Sequence, residues 1–147
     1  MRLTSFSDYT LRTLMFLAVR PDSVAPARIS DIAAAYAISE THLTKVVNQL
    51  AQAGDVATLR GRHGGLRLAR PPAEINLGAV IRRTEPDLAL VECLGPGGAC
   101  CLGPACRLTG VLQRALAAFL AVLDDVTLAD LVAPRRDLSR LLGLVES

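Results

Sequence analysis

Cys93, Cys100, Cys101 and Cys106 crowd into fourteen residues of a 147-residue chain that holds no other cysteine. Thiolates are soft ligands, and several of them on one flexible segment suit zinc or an iron–sulfur cluster. The segment is flexible by composition, with five Gly or Pro between Gly95 and Gly103. Tetrahedral zinc sites usually rest on two close Cys-x2–4-Cys knuckles. Here only Cys101 to Cys106 has such a gap, and no second pair matches it. Gaps of six residues (Cys93 to Cys100) and five (Cys100 to Cys106) can wrap a larger cluster, so spacing leans modestly toward iron. A zinc or disulfide switch stays open on spacing alone. Enzyme chemistry finds little to stand on: there is no Cys-x2-Cys redox motif, no Ser/His/Asp arrangement and no phosphate-binding glycine loop, and the only histidines are His42 and His63.

A second set of residues has the chemistry to read a polyanion. The net charge of +2 is unevenly shared: residues 1–71 hold nine Lys/Arg against five Asp/Glu, and residues 72–147 seven against nine. The basic excess therefore lies in the N-terminal half. Ser39, Thr41, His42, Lys45, Asn48 and Gln49 surround an apolar stripe of Leu43, Val46, Val47 and Leu50 at i, i+3, i+4 and i+7. Polar residues at the start of such a helix can reach base edges in a major groove. Arg60, Arg62 and His63 follow in a glycine-rich loop, flanked by Arg67 and Arg70, and are suited to phosphates or a minor groove.

The elements that must position these groups follow from local punctuation. Apolar content is 51% but aromatics only 3%, with no Trp, which favours helices packed on helices. Residues 5–19 read as a helix with Phe6, Tyr9, Leu14 and Leu17 toward a core, ended by Pro21-Asp22. Ser30 caps a short helix over 31–36, and the Ala37-Ile38 turn leads to a second helix that starts at Ser39 and stops at Gly54. Two strand-like runs, 55–59 and 66–68, enclose the basic loop and read as a hairpin. Helix-turn-helix followed by a basic hairpin is a winged helix.

Asn76 caps a further helix with Leu77, Val80 and Ile81 inward, and Pro104 suits the first turn of a long helix reaching about Leu123. That helix has an apolar stripe too wide for one face, which calls for a cover, most simply the same helix of a second subunit. Thr127 and Asp130 form a capping-box pattern, and residues 137–145 make a last amphipathic turn or two. The predicted fold is mostly α with a small β-hairpin wing: a winged helix-turn-helix plus a long C-terminal dimerisation helix. Residues 1–72 form the DNA-binding region and 73–147 the cluster-binding loop (about 86–106) and dimerisation helix, in one compact unit. There is no secretory pattern, and the most apolar stretch, Val111 to Leu123, is interrupted by Arg114 and closed by Asp124-Asp125. The expected place is the cytoplasm, away from membranes.

Longer stretches carry a resemblance. Met1–Tyr9, Lys45–Leu50, Arg60–Leu68, Pro104–Leu108, Phe119–Asp124 and Thr127–Val132 are similar to the iron–sulfur winged-helix regulator family of NsrR and IscR, and to its NsrR type most. The resemblance implies a homodimeric repressor on a double-stranded DNA operator, released when nitric oxide attacks its cluster. It implies a 4Fe–4S cluster, with 2Fe–2S the alternative for an IscR-like or redox-responsive regulator. Cys93, Cys100 and Cys106 would be ligands, Cys100 keeping the family's five-residue gap to Cys106 and Cys101 being its alternative. The remaining iron would take Asp8 from the partner subunit, with Arg12 one turn on as its hydrogen-bonding support. Ser5-x-x-Asp8 is also a capping-box pattern, which explains Asp8 without any metal.

Overall fold

The computed structural model describes residues 2–144. The helix α1 (Ser5–Val19) runs through the centre, with Leu14, Phe16, Leu17 and Val19 buried. Its N-cap is Thr4, whose side chain accepts from the Ser7 amide. The expected Ser5–Asp8 capping box does not form: Ser5 is already helical, and Asp8 pairs with Arg12 instead.

The helices α2 (Ile29–Tyr36) and α3 (Glu40–Gln52) form the helix-turn-helix. The first starts at Arg28 rather than Ser30, because the Asp31 carboxylate accepts from the Arg28 amide at 2.8 Å and fixes the turn two residues earlier. Ala37 ends it in the left-handed region, at φ 53°. Leu43, Val46, Val47 and Leu50 of α3 are all buried, and Gly54 follows at φ 77°. Each of these elements places its apolar side on one cluster with Ala27, Ile32, Val56, Leu66, Ile75, Val80 and Leu128.

Strands β1 (Val56–Leu59) and β2 (Gly65–Leu68) pair antiparallel, with Val56 opposite Leu68 and Leu59 opposite Gly65. Ala27 adds a bridge to Leu66, with hydrogen bonds of 3.0 and 2.7 Å. A side chain at Gly65 would collide with the Ala27 carbonyl at 2.5 Å, so only glycine lets the wing close on the segment before α2.

The second half begins with α4 (Leu77–Thr84), capped by Asn76 as the sequence predicts. The long helix α5 (Arg107–Asp124) starts later than expected. Pro104 lies in a separate 3-10 turn, Gly103–Ala105, and Cys106 is the residue that caps α5. The ends of α4 and α5 join where Asn76 Nδ2 donates to the Asp124 carbonyl at 2.6 Å and Arg82 pairs with the Asp124 carboxylate at 2.5 Å. Two short helices close the chain: α6 (Leu128–Leu131), with the predicted Thr127–Asp130 capping box, and α7 (Arg135–Leu141). Arg135 donates to the Val19 and Arg20 carbonyls and so caps the C-terminal end of α1. Of the predicted last turn at 137–145, residue 145 lies outside the described residues. No helix among the described residues is long and apolar enough to cross a membrane.

Candidate DNA-reading surface and cysteine loop

Burying the apolar stripe of α3 turns its other face outward. Ser39, Thr41, His42, Lys45 and Asn48 are all exposed there. His42 lies beside Tyr9 of α1, with ring centroids 6.1 Å apart. Gln49 is partly buried, and its Nε2 donates to the Arg83 carbonyl at 3.0 Å. Of the predicted readers it alone has its amide engaged inside the protein.

Arg60, Arg62 and His63 occupy the exposed tip between the strands. Neither Lys45, Arg60 nor Arg62 makes an ion pair among the described residues, so their charge is uncompensated and open to phosphates. The two flanking arginines serve the fold. Arg67 donates to the carbonyls of Asp22 and Val24 at 3.1 and 2.6 Å, tying the wing to the loop after α1. Arg70 pairs with Asp55.

Asp55 is a feature that sequence reasoning missed. Its side chain is wholly buried between Arg70 and Arg83, at the junction of α3, the wing and α4. The one available signal was a charged residue directly after a helix-stopping glycine and before a strand, which does not name its partners.

All four cysteines are free, three of them exposed and Cys106 partly covered. Gly98 lets the loop fold back on itself, since a side chain there would stand 2.4 Å from the Glu92 carbonyl and 2.7 Å from the Cys93 Cα. That fold-back puts Cys93 and Cys100 on one surface depression, with Pro96 and Gly97 between them. Cys106 lines a separate open surface on α5, with Arg107, Gly110 and Val111. Its side chain makes no capping hydrogen bond, but the nearby Thr109 hydroxyl and the Thr109 and Leu108 amides draw its thiol below the usual cysteine range, against an opposing effect of burial.

Asp8 stands on the first turn of α1, half-exposed, with both carboxylate oxygens 3.0 Å from Arg12 Nε. Two hydrogen bonds leave a carboxylate with acceptor capacity to spare. Arg12 in turn lies over the Tyr36 ring, 5.5 Å from its centroid. Within one chain, no three His, Cys, Asp or Glu side chains among the described residues converge as a metal cage. The donor set nonetheless fits an iron–sulfur cluster in its chemistry: free, accessible thiols on a glycine-rich loop, one already biased toward thiolate.

Comparisons with known proteins agree with this anatomy. The Rrf2 family, described as iron-dependent transcriptional regulators, matches residues 3–134. The HTH-type transcriptional regulator NsrR of Geobacillus kaustophilus is 52% identical over 143 residues, 97% of each chain. Among solved structures, CymR, the global cysteine regulator of B. subtilis, superposes with TM-score 0.71 at 28% identity, covering 90% of this chain and 97% of that one. The IscR of T. potens superposes with TM-score 0.73 at 26% identity, covering 91% and 88%. These relatives are regulators rather than enzymes, and winged-helix proteins of this kind bind DNA. This chain belongs to the Rrf2 family of transcriptional regulators and is of its NsrR type.

Proposed function

We propose that the chain is a cytoplasmic, homodimeric repressor that grips its operator only with an iron–sulfur cluster in place, and is released by nitric oxide. The observation that carries this reading is one small fold joining two things: an uncompensated basic and polar reading face on α3 and the wing, and a loop of free thiols seated at the cap of α5. Residues 1–72 then read DNA, and residues 73–147 sense and dimerise.

Cys93, Cys100 and Cys106 would hold a 4Fe–4S cluster, and Asp8 of the partner subunit would complete it. The depression shared by Cys93 and Cys100 supports Cys100 over Cys101. Asp8 is half-exposed, and no cysteine of its own chain lines the surface depression it borders, which supports a ligand given across the dimer. When bound, the cluster supplies iron that nitric oxide can attack. A hard oxygen ligand among sulfurs is the weaker hold. Arg12 holds the Asp8 carboxylate in place through its two hydrogen bonds. Leu108, Val111 and Val122 of α5 offer the exposed apolar face for dimerisation, which sets two α3 helices for half-sites about one DNA turn apart. The likeness to an IscR structure supports a second reading, a 2Fe–2S regulator that reports cluster supply or redox state.

Anaerobically purified protein tests this directly. Visible and Mössbauer spectra should show 4Fe–4S iron, and fluorescence anisotropy on DNA selected by the loaded protein should show binding that stoichiometric nitric oxide abolishes. Equal affinity before and after would overturn the switch. Arg62→Ala should reduce the slope of log affinity against log salt by about one phosphate contact. Loss of the cluster in Cys101→Ala, but not in Cys100→Ala, would reverse the ligand assignment.

A further inference from the structure

Three consecutive residues at the end of α4 face in two directions. The Glu85 carboxylate accepts from the Thr4 amide at 2.8 Å, the Thr4 hydroxyl at 3.0 Å and the Ser7 hydroxyl at 2.5 Å. Thr84, buried beside it, brings its Oγ1 to 2.7 Å from Ser7 Oγ. All of these contacts fall on the capped first turn of α1, the turn that carries Asp8.

Arg83 reaches the opposite way. Its carbonyl accepts from Gln49 on the last turn of α3, and its guanidinium pairs with buried Asp55, which also receives Arg70 from the end of β2. Ser7 and Asp55 are both fully buried, so neither end can shift without leaving a polar group unpaired and dry, which is costly. The tether is therefore stiff. Other routes between these elements run through side-chain packing, with Tyr9 of α1 beside His42 of α3 among it, which tolerates sliding better than directional hydrogen bonds do.

We propose that Arg83 and Glu85 are positioning residues for DNA reading: they tie the first turn of α1 to the recognition helix and wing, so that displacement of that turn reorients the reading head. The proposed function supplies the identity of what displaces the turn, and to that extent this inference rests on it; the tether itself does not.

Hydrogen exchange of the full-length chain, read by mass spectrometry, tests the tether in two arms. In iron-free protein, Glu85→Ala should speed exchange in the first turn of α1. It should also do so about fivefold or more in the last turn of α3 and in β2, to which Glu85 makes no hydrogen bond. Glu85→Gln keeps an acceptor oxygen and should restore much of the protection. Arg82→Ala, which breaks the adjacent ion pair to Asp124, should leave α3 and β2 as they were. Faster exchange confined to α1 in Glu85→Ala overturns the proposal.

In the cluster-loaded chain, removing iron should loosen α3 and β2 in the natural protein and not in Glu85→Ala; an equal response in both overturns it as well. A natural chain that takes up no iron defeats the proposed function, and the iron-free arm then decides the tether alone. Should Glu85→Ala fail to fold, Gln49→Leu combined with Arg83→Ala removes both links at the other end of the tether. It should then speed exchange in the first turn of α1, and unchanged exchange there overturns the proposal.

Discussion

A carboxylate with none of its surface in water keeps its charge only when that charge is matched, and Asp55 has two guanidiniums to match it. Asp55→Asn would leave Arg70 and Arg83 crowded against a neutral amide. The expected loss is about 3 kcal/mol of stability, read from urea midpoints at constant m-value; a loss under about 1 kcal/mol would contradict the role given to Asp55. Glu85 supplies a pH dependence. Partial burial opposes its ionisation, but hydrogen bonds from Ser7 and from the amide and hydroxyl of Thr4 outweigh it and hold the carboxyl below its ordinary range. A carboxyl depressed on folding stabilises the protein above its unfolded pKa, and that contribution is lost as pH falls through the folded value. The natural protein should therefore lose more stability than Glu85→Gln between about pH 6 and pH 3.5, as chemical denaturation at the two pH values would show. At this scale the sequence was legible where partners are near neighbours: the Asp8–Arg12 pair is one helical turn apart, and the cysteines announce themselves by density. Asp55 was not, because its partners stand 15 and 28 residues away. For the same reason the sequence placed Arg70 only as a flank of the basic loop and did not show its pairing with Asp55.

Among the elements, the turn between α2 and α3 hangs on Ala37, the only described residue other than glycine at positive φ. A left-handed alanine costs about 1 kcal/mol, so Ala37→Gly should raise stability by somewhat less, roughly 0.5 kcal/mol, since glycine also frees the unfolded chain. Differential scanning calorimetry checks the direction, and a lower melting temperature would refute it. Helix existence was readable from apolar spacing; several helix starts were not. Ser30 and Pro104 are good local signals that lost to other contacts. The pairing of Ala27 with Leu66 and the Asp31–Arg28 bond set the start of α2 early. Pro104 falls in a 3-10 turn of its own, and α5 starts after Cys106, whose side chain makes no capping hydrogen bond.

For the molecule as a whole, the division of labour is uneven. The order of cap, stripe, glycine stop and basic hairpin made the winged helix readable, since each signal is local and they agree. The junctions that assemble it, such as Arg135 of α7 capping α1, join residues over a hundred positions apart. The 18 residues of α5 include none that is buried, with Val111 49% and Val122 66% exposed. A helix this long takes most of its stability from packing. Sedimentation equilibrium should therefore find dimers, and Val111→Glu with Val122→Glu should give monomers that also lose helix content by circular dichroism. A monomer in the natural protein would refute the assignment of that face.

The bareness of α5 reaches beyond assembly into supply. If the proposed dimer supplies most of the cover of the longest helix, the chain melts at a temperature that climbs with its own concentration. A few copies, freshly made and far apart, would then present an unguarded strip to proteases, and a crowd of them would not. Abundance would then regulate itself from below, with scarcity marking each unpaired copy for destruction before it ever reaches a promoter.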